Sequence, residues 1–369
     1  MVNPTRFPAG ISTFPVQNVL NTFPTVPSQY QINRGDDFIP YSSGNYTATA
    51  STGAASANYS WNGGVLKITG GTSTPFKSFL ALGSGNIQIV PGNQSWHDVR
   101  MGVPTGSMKN PLTDSVVYSG FFDNVDPASA TNGIYFVKPA GGSVVNFVIL
   151  KNSTATTFSN VADFAVPSGI YGDTASTAGT LTFNSTGTTF SSIAVGSAGA
   201  GYRVAPLCIP FGTAGSGAQV SVQLGGATQG GGTVGSSLYA PYILAAGSSY
   251  TAGTLGCDII PFINLQFWYN GAGSLFVGVN GRSVLSLGVD GTATATPGST
   301  YSLGAGQANS YNFSGTSLST SIAPVQPYPG SFYSVAPQVP LQLDFGLIGT
   351  SGNARYLYVE EINIGTEVN

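Results

Sequence analysis

The chain is predicted to be all-β: a two-sheet sandwich with a small inserted β module and an extended N-terminal arm. Three observations predict this. Runs rich in β-branched and aromatic residues, each of strand length, recur from Asp36 onward, separated by Gly, Asn, Asp and Pro clusters that suit turns. No ten-residue window places apolar residues at helical spacing. Charged residues make up 7% of the 369, against roughly 25% in an ordinary soluble domain, while glycine alone supplies 51. With 41% hydrophobic residues the chain has ample material for a core.

Residues 1–35 read as the arm. Phe7-Pro8, Phe14-Pro15 and Phe23-Pro24 repeat one dipeptide. Proline at this density blocks helix and ladder pairing and drives the preceding residues to extended conformations. Phe7, Ile11, Phe14, Val19, Leu20 and Phe23 make the segment too apolar for a solvated tail. They are therefore read as docking residues, on a neighbouring subunit or on the chain's own surface. Met1 to Ile11 has no apolar core of the kind a signal peptide needs.

Residues 36–172 are assigned to the first part of the sandwich. Strands are predicted at Asn45–Ala50, Val65–Thr69, Ile87–Val90, Ser115–Phe122, Gly133–Val137 and Val144–Lys151. Residues 173–256, built mostly of Gly, Ala, Ser and Thr, read as the inserted module, whose small residues let backbones pack closely without a large core. Residues 257–369 complete the sandwich, with strands at Ile259–Tyr269, Ser274–Val279, Ser283–Leu287, Gln342–Ile348 and Tyr356–Ile364. Asn270-Gly271 and Asn280-Gly281 are tight-turn signals that delimit a three-stranded meander. That meander is expected to pack opposite the strands of 115–151.

Two stretches carry a resemblance. Gly199-Ala-Gly-Tyr202, Ala205-Pro206 and Gly215-Ser-Gly-Ala218 resemble a Gly/Ser-rich repeat of bacteriophage fibre and other virion proteins; around Ser249-Tyr250 a second copy is too degraded to count. Gly120-Phe-Phe-Asp-Asn-Val125, Asn132-Gly-Ile-Tyr-Phe136, Val277-Gly-Val-Asn-Gly281 and Tyr356-Leu-Tyr-Val-Glu-Glu-Ile362 resemble the jelly-roll, concanavalin-like sandwiches of phage capsid-associated proteins. The resemblance implies a non-enzymatic virion structural protein, made in the host cytoplasm and placed on the capsid exterior. Its implied role is a capsid decoration or head-fibre subunit bound to the major capsid protein. A tail or nozzle component shares every one of these features. The low charge and the arm suggest self-association as a trimer or dimer.

Other chemistry is thinly represented. Net charge is −3 and no Lys/Arg cluster occurs, which argues against nucleic acid as a partner. The longest apolar runs, such as Val144 to Leu150, are far short of a membrane-spanning helix. The single histidine, His97, precedes Asp98, which strand alternation turns to the opposite face, and no Gly-x-Ser-x-Gly elbow is present. His97 is read as a loop or strand-end residue. Glu360 and Glu361, being consecutive, are expected to face opposite ways, and no carboxylate pair is legible.

No cofactor is expected. One His and two separated Cys cannot build a zinc site, so Asp123 and Asp126 are the weak candidates for an oxygen-ligated cation; a capped turn is the other reading. Cys208 and Cys257 sit in similar settings and are read as buried thiols or, alternatively, as a bridge between neighbouring strands. For a host-surface glycan, Trp61 with Tyr59 is the favoured contact, because Trp61 flanks a turn; Trp268, in an apolar run, is assigned to the core.

Overall fold

A computed structural model describes residues 31–38, 43–50, 55–56, 64–72, 75–104, 110–186, 188–211, 215–225, 236–251, 256–271, 273–287, 336–350, 352 and 354–367. The arm residues Phe7 to Phe23, and Tyr59 and Trp61, lie outside that set. Among the described residues the regular structure is strand, with two short 3-10 turns.

Two antiparallel sheets face each other. The first contains β1 (Gln31–Asp36), β3 (Ala55–Ser56), β4 (Leu66–Thr69), β6 (Ser95–Gly102), β17 (Phe262–Tyr269), β18 (Leu275–Val279), β19 (Arg282–Leu287) and β21 (Tyr356–Glu367), in the order β19-β18-β17-β6-β21-β4-β3. β1 also pairs with β21, so Gln31 to Gly35, read above as the end of the arm, are strand. The second contains β2 (Tyr46–Ala50), β5 (Phe76–Ile87), β7 (Ser115–Phe122), β8 (Gly133–Lys138), β9 (Val144–Lys151), β10 (Thr154–Asp163) and β20 (Leu341–Gly349), in the order β10-β9-β8-β7-β20-β5-β2. The last two strands thus enter the middle of opposite sheets: β20 between β7 and β5, β21 beside β6. The meander β17-β18-β19 and the strands β7-β8-β9 stand in opposite sheets, an all-β sandwich as predicted.

Alternate residues of these strands meet between the sheets. Phe121, Phe136 and Phe147 from the second sheet surround Phe267 of the first, with ring centroids 5.0, 6.2 and 5.7 Å away. Burying one such ring contributes roughly 1.5–3 kcal/mol, so this cross-sheet cluster fixes the facing of both sheets. Asn280 and Gly281 both take positive φ (51° and 75°), the conformation that a two-residue hairpin turn requires. Pro261 explains why the predicted strand Ile259–Tyr269 is two: without an N–H it cannot continue a ladder, and it separates β16 (Gly256–Ile260) from β17.

Between β10 and β17 the chain builds three two-stranded sheets: β11 (Thr180–Thr186) with β12 (Thr189–Ser197), β14 (Ser216–Gly225) with β15 (Ser237–Ser248), and β13 (Leu207–Phe211) with β16. They share their own apolar cluster of Tyr202, Cys208, Val220, Val222, Leu238 and Ile259. The two halves are copies of one plan: a hairpin, a tyrosine corner, then a strand that pairs with its counterpart. Tyr202 and Tyr250 are each 3% exposed, and their hydroxyls accept the N–H groups of Gly179 and Ala218. The Tyr202 N–H donates to Ser236 O, just before β15, and the Tyr250 N–H donates to Thr188 O, just before β12, so the bonds cross reciprocally between halves. Positive φ recurs at Gly199 and Gly201 in one corner and at Gly247 and Ser249 in the other. The copy around Ser249-Tyr250, dismissed on sequence, is therefore structurally intact.

Candidate functional site

His97 is not a loop or strand-end residue. It lies mid-strand in β6, fully buried between the sheets, with its ring stacked on Phe267 at 4.7 Å. Its Nδ1 lies 3.1 Å from Leu265 O and its Nε2 3.1 Å from Ser119 Oγ. A carbonyl only accepts, so Nδ1 carries the proton and Nε2 accepts from the serine. Burial, against the pull of the Leu265 bond, lowers its pKa to about 3. This is a neutral core histidine.

Asp98, turned the other way, belongs to the outer face of the first sheet. There the register lays Trp268, Gln266 and Asn264 of β17 beside Trp96, Asp98 and Arg100 of β6. Gly365, Asn363 and Glu361 of β21 stand on the other side. Phe276 of β18 extends the aromatic row beyond Trp268. Trp268, assigned above to the core, is instead half-buried on this face, its ring stacked on Phe276 at 5.3 Å; apolar residues flank it because the inward half of β17 carries the core. Trp96 is fully buried beneath that pair, in a cluster separate from the main core.

Hydrogen bonds set these side chains in place. The Gly281 N–H at the β18–β19 turn donates to Gln266 Oε1 at 2.8 Å, and Gln266 Nε2 donates to Asp98 Oδ2 at 2.9 Å. Trp96 Nε1 donates to Asn363 Oδ1 at 3.3 Å and Trp268 Nε1 to Gln94 Oε1 at 3.0 Å. A register shift between Val359 and Glu361, opposite β6, overturns the expectation that the two glutamates face apart. Glu361 pairs in register with Arg100 while Glu360 forms an ion pair with the same arginine at 2.9 Å. A β-bulge sets two successive residues against one, which brings both carboxylates to this region.

The electrostatics of the face follow from this crowding. Burial raises Asp98 to about 7; the Glu361 charge adds to the rise, while the Gln266 hydrogen bond and Arg100 oppose it. Burial raises Glu360 as well, with Arg100 opposing and Glu361 adding. The face therefore presents amide, guanidinium and carboxyl groups beside an aromatic pair.

Asp123 and Asp126 are turn residues. Asp123 accepts from Thr131 N–H, Thr131 Oγ1 and Asn132 Nδ2 at 3.0, 2.7 and 2.9 Å. Asp126 caps the 3-10 turn Pro127–Ser129 and pairs with Lys77 at 2.6 Å. Burial would raise both, but these hydrogen bonds outweigh it and hold both carboxyls below their usual range. No cluster of three metal-ligating side chains occurs among the described residues. Cys208 and Cys257 are free thiols in the module's cluster, on the paired strands β13 and β16.

No family model and no curated protein matches the chain. Among solved structures the chain is similar to an endo-1,3-beta-glucanase from Streptomyces sioyaensis, with 8% identity and a TM-score of 0.35 over 93% of this chain and 99% of that one. This finding corrects the expectation of a non-enzymatic virion subunit: the match is a bacterial glucanase, and neither the capsid role nor the exclusion of enzymatic activity is retained. At that TM-score the likeness assigns no activity to this chain.

Proposed function

We propose that the protein binds a neutral glycan across the outer face of its first sheet. The observation that carries this reading is the arrangement of Gln266, Asp98, Asn363, Asn264 and Arg100 beside the Trp268–Phe276 pair. Planar amide and guanidinium groups in fixed orientations suit sugar hydroxyls, and aromatic faces suit the apolar faces of sugar rings. Gln266 is held by a backbone N–H and in turn holds Asp98, so the polar row is ordered before any ligand arrives. The test is binding to a panel of soluble neutral polysaccharides, with Trp268→Ala and Gln266→Ala as variants. Both substitutions are expected to weaken binding at least tenfold without unfolding the chain.

A second reading, cleavage of that glycan, is supported by one observation. Asp98, raised to about 7, retains a proton near neutrality and stands diagonally across from the exposed Glu361. Diagonal strand neighbours have Cα atoms roughly 7–8 Å apart, within reach of the carboxyl separations used in glycoside hydrolysis. Release of reducing ends from a bound polysaccharide, abolished in both Asp98→Asn and Glu361→Gln, is the result this reading requires.

A further inference from the structure

The inserted module carries an aromatic stripe on the outer side of its second hairpin. Tyr239, Tyr242 and Leu244 of β15 are 38, 43 and 51% exposed, three of the six large apolar side chains that stand exposed among the described residues. Tyr239 pairs with Gln223 of β14 and Tyr242 with Ser221. Their neighbours Leu238, Ile243, Val220 and Val222 enter the module's apolar cluster, so alternation turns these four side chains away from it. Tyr239 and Tyr242 are three residues apart, which alternation alone would set on opposite sides. A register shift between Ser221 and Gln223, with Ala240 at a positive φ of 41°, absorbs the extra residue and returns both rings to one side. The Tyr239 ring is also seated: a Cβ at Gly225 would lie 2.8 Å from its Cβ and Cγ, so it rests against bare backbone. A ring already held gives up little freedom on binding.

The first hairpin shows that the fold does not need this stripe. In β11 and β12 the inward residues Leu181, Phe183, Ile193 and Val195 pack against the same cluster. The corresponding outward positions hold Thr182 paired with Ala194 and Asn184 paired with Ser192, all exposed. One plan therefore folds with small polar side chains in one copy and carries two tyrosines and a leucine in the other.

Charge and size narrow what would cover the rings. No charged residue occurs between Arg203 and Asp258, so a charged partner would meet no counter-charge here. Two strands about 4.8 Å apart and some six residues long present roughly 200 Å², well short of the ~800 Å² per partner of a stable protein interface. The stripe suits a narrow, neutral chain with apolar faces and hydroxyl edges. Tyrosine rings stack on the former, and Gln223, Ser221 and the phenol hydroxyls both donate to and accept from the latter. We propose that the stripe is a second glycan subsite, which engages a further stretch of a neutral polysaccharide already held on the outer face of the first sheet. It rests on the reading of that face given above. Alone it is weak; tethered through the first site it adds avidity for long chains.

The test compares the full chain with a Tyr239→Thr/Tyr242→Ser variant, which takes side chains of the kind the first hairpin carries. Both are run through affinity gels of β-1,3-glucan, hydroxyethyl cellulose and galactomannan, and titrated with laminaritriose, cellotriose and mannotriose. Thermal melts confirm that the variant is folded. The variant is expected to bind the retarding polysaccharide about tenfold more weakly than the parent, and the difference should vanish with the trisaccharides. Trp268→Ala should lose retardation altogether. Retardation that the tyrosine variant keeps in full would refute the second subsite alone. An equal loss with trisaccharides would merge the stripe with the first site and overturn it too. So would a dimer of the parent, seen by sedimentation, that the variant abolishes, since the stripe would then join two copies. Free migration of the parent through all three gels would refute the first-face reading and this one with it.

Discussion

The two outer faces of the sandwich rest on one shared core and differ in how they treat their carboxyl groups. On the first sheet, Asp98 is oriented by Gln266, Glu360 pairs with Arg100, and half-buried polar side chains surround them. On the second, Asp344 is sealed among aromatic rings with one oxygen unbonded. Both faces come from strands whose inward residues are almost uniformly apolar. The difference teaches that the inward half of the period-two pattern fixes the fold and leaves the outward half free to specialise. A one-residue slip would exchange the two sets, so the core also fixes what each outer face presents.

The largest expected effect strikes both faces together. Phe267→Ala removes the ring on which His97, Phe121 and Phe147 converge and should cost about 3–5 kcal/mol in denaturant unfolding. A loss confined to one face, with stability intact, would break the idea of a shared core.

The next effect separates the faces by pH. Folded Asp344 keeps its proton up to about 8, whereas the unfolded chain releases it near the ordinary aspartate value of 3.8. Its contribution is therefore fully present below that lower value and is lost as pH rises toward 8, by about 1.4 kcal/mol per pH unit. Asp344→Asn should be more stable than the parent at pH 7, with the gap closing toward pH 4. Asp98→Asn should show the same sign over a window ending near 7. Thermal melts at pH 4, 5.5 and 7 check both, and pH-independent differences would contradict the assignment.

The smallest effect lies in the inserted module, apart from either face. Tyr202→Phe and Tyr250→Phe each remove a hydroxyl that accepts a buried backbone N–H, and each should cost about 1–3 kcal/mol. Similar values for the two would support the duplicated plan, and a silent Tyr250→Phe would break it.

Much of the sandwich was legible because β-branched runs and turn dipeptides mark it directly. The strands overlooked carry mixed signals. β5 contains Gly83 and Gly85, which read as a turn. β6 alternates well, with Val99 and Met101 inward, but its adjacent His97 and Asp98 read as candidate chemistry and not as a strand. β10 is rich in threonine and lacks an apolar run. The first-sheet site was illegible because it joins Asp98, Gln266 and Glu361 from three distant segments, and because a bulge, which no local motif announces, places Glu360 near Arg100 beside Glu361. Trp268 was misplaced since five of its neighbours in β17 are apolar, and only the register with Trp96 and Phe276 shows which way it faces.

The measurement that tests the central claim most directly is affinity electrophoresis of the parent chain, Trp268→Ala and Asp344→Asn through gels containing neutral polysaccharides, including β-1,3-glucan, cellulose derivatives and galactomannan. The account predicts retardation of the parent by at least one of them, its loss in Trp268→Ala, and its retention in Asp344→Asn, whose change lies on the other face. Free migration of the parent through every gel, or equal retardation of Trp268→Ala, would contradict it.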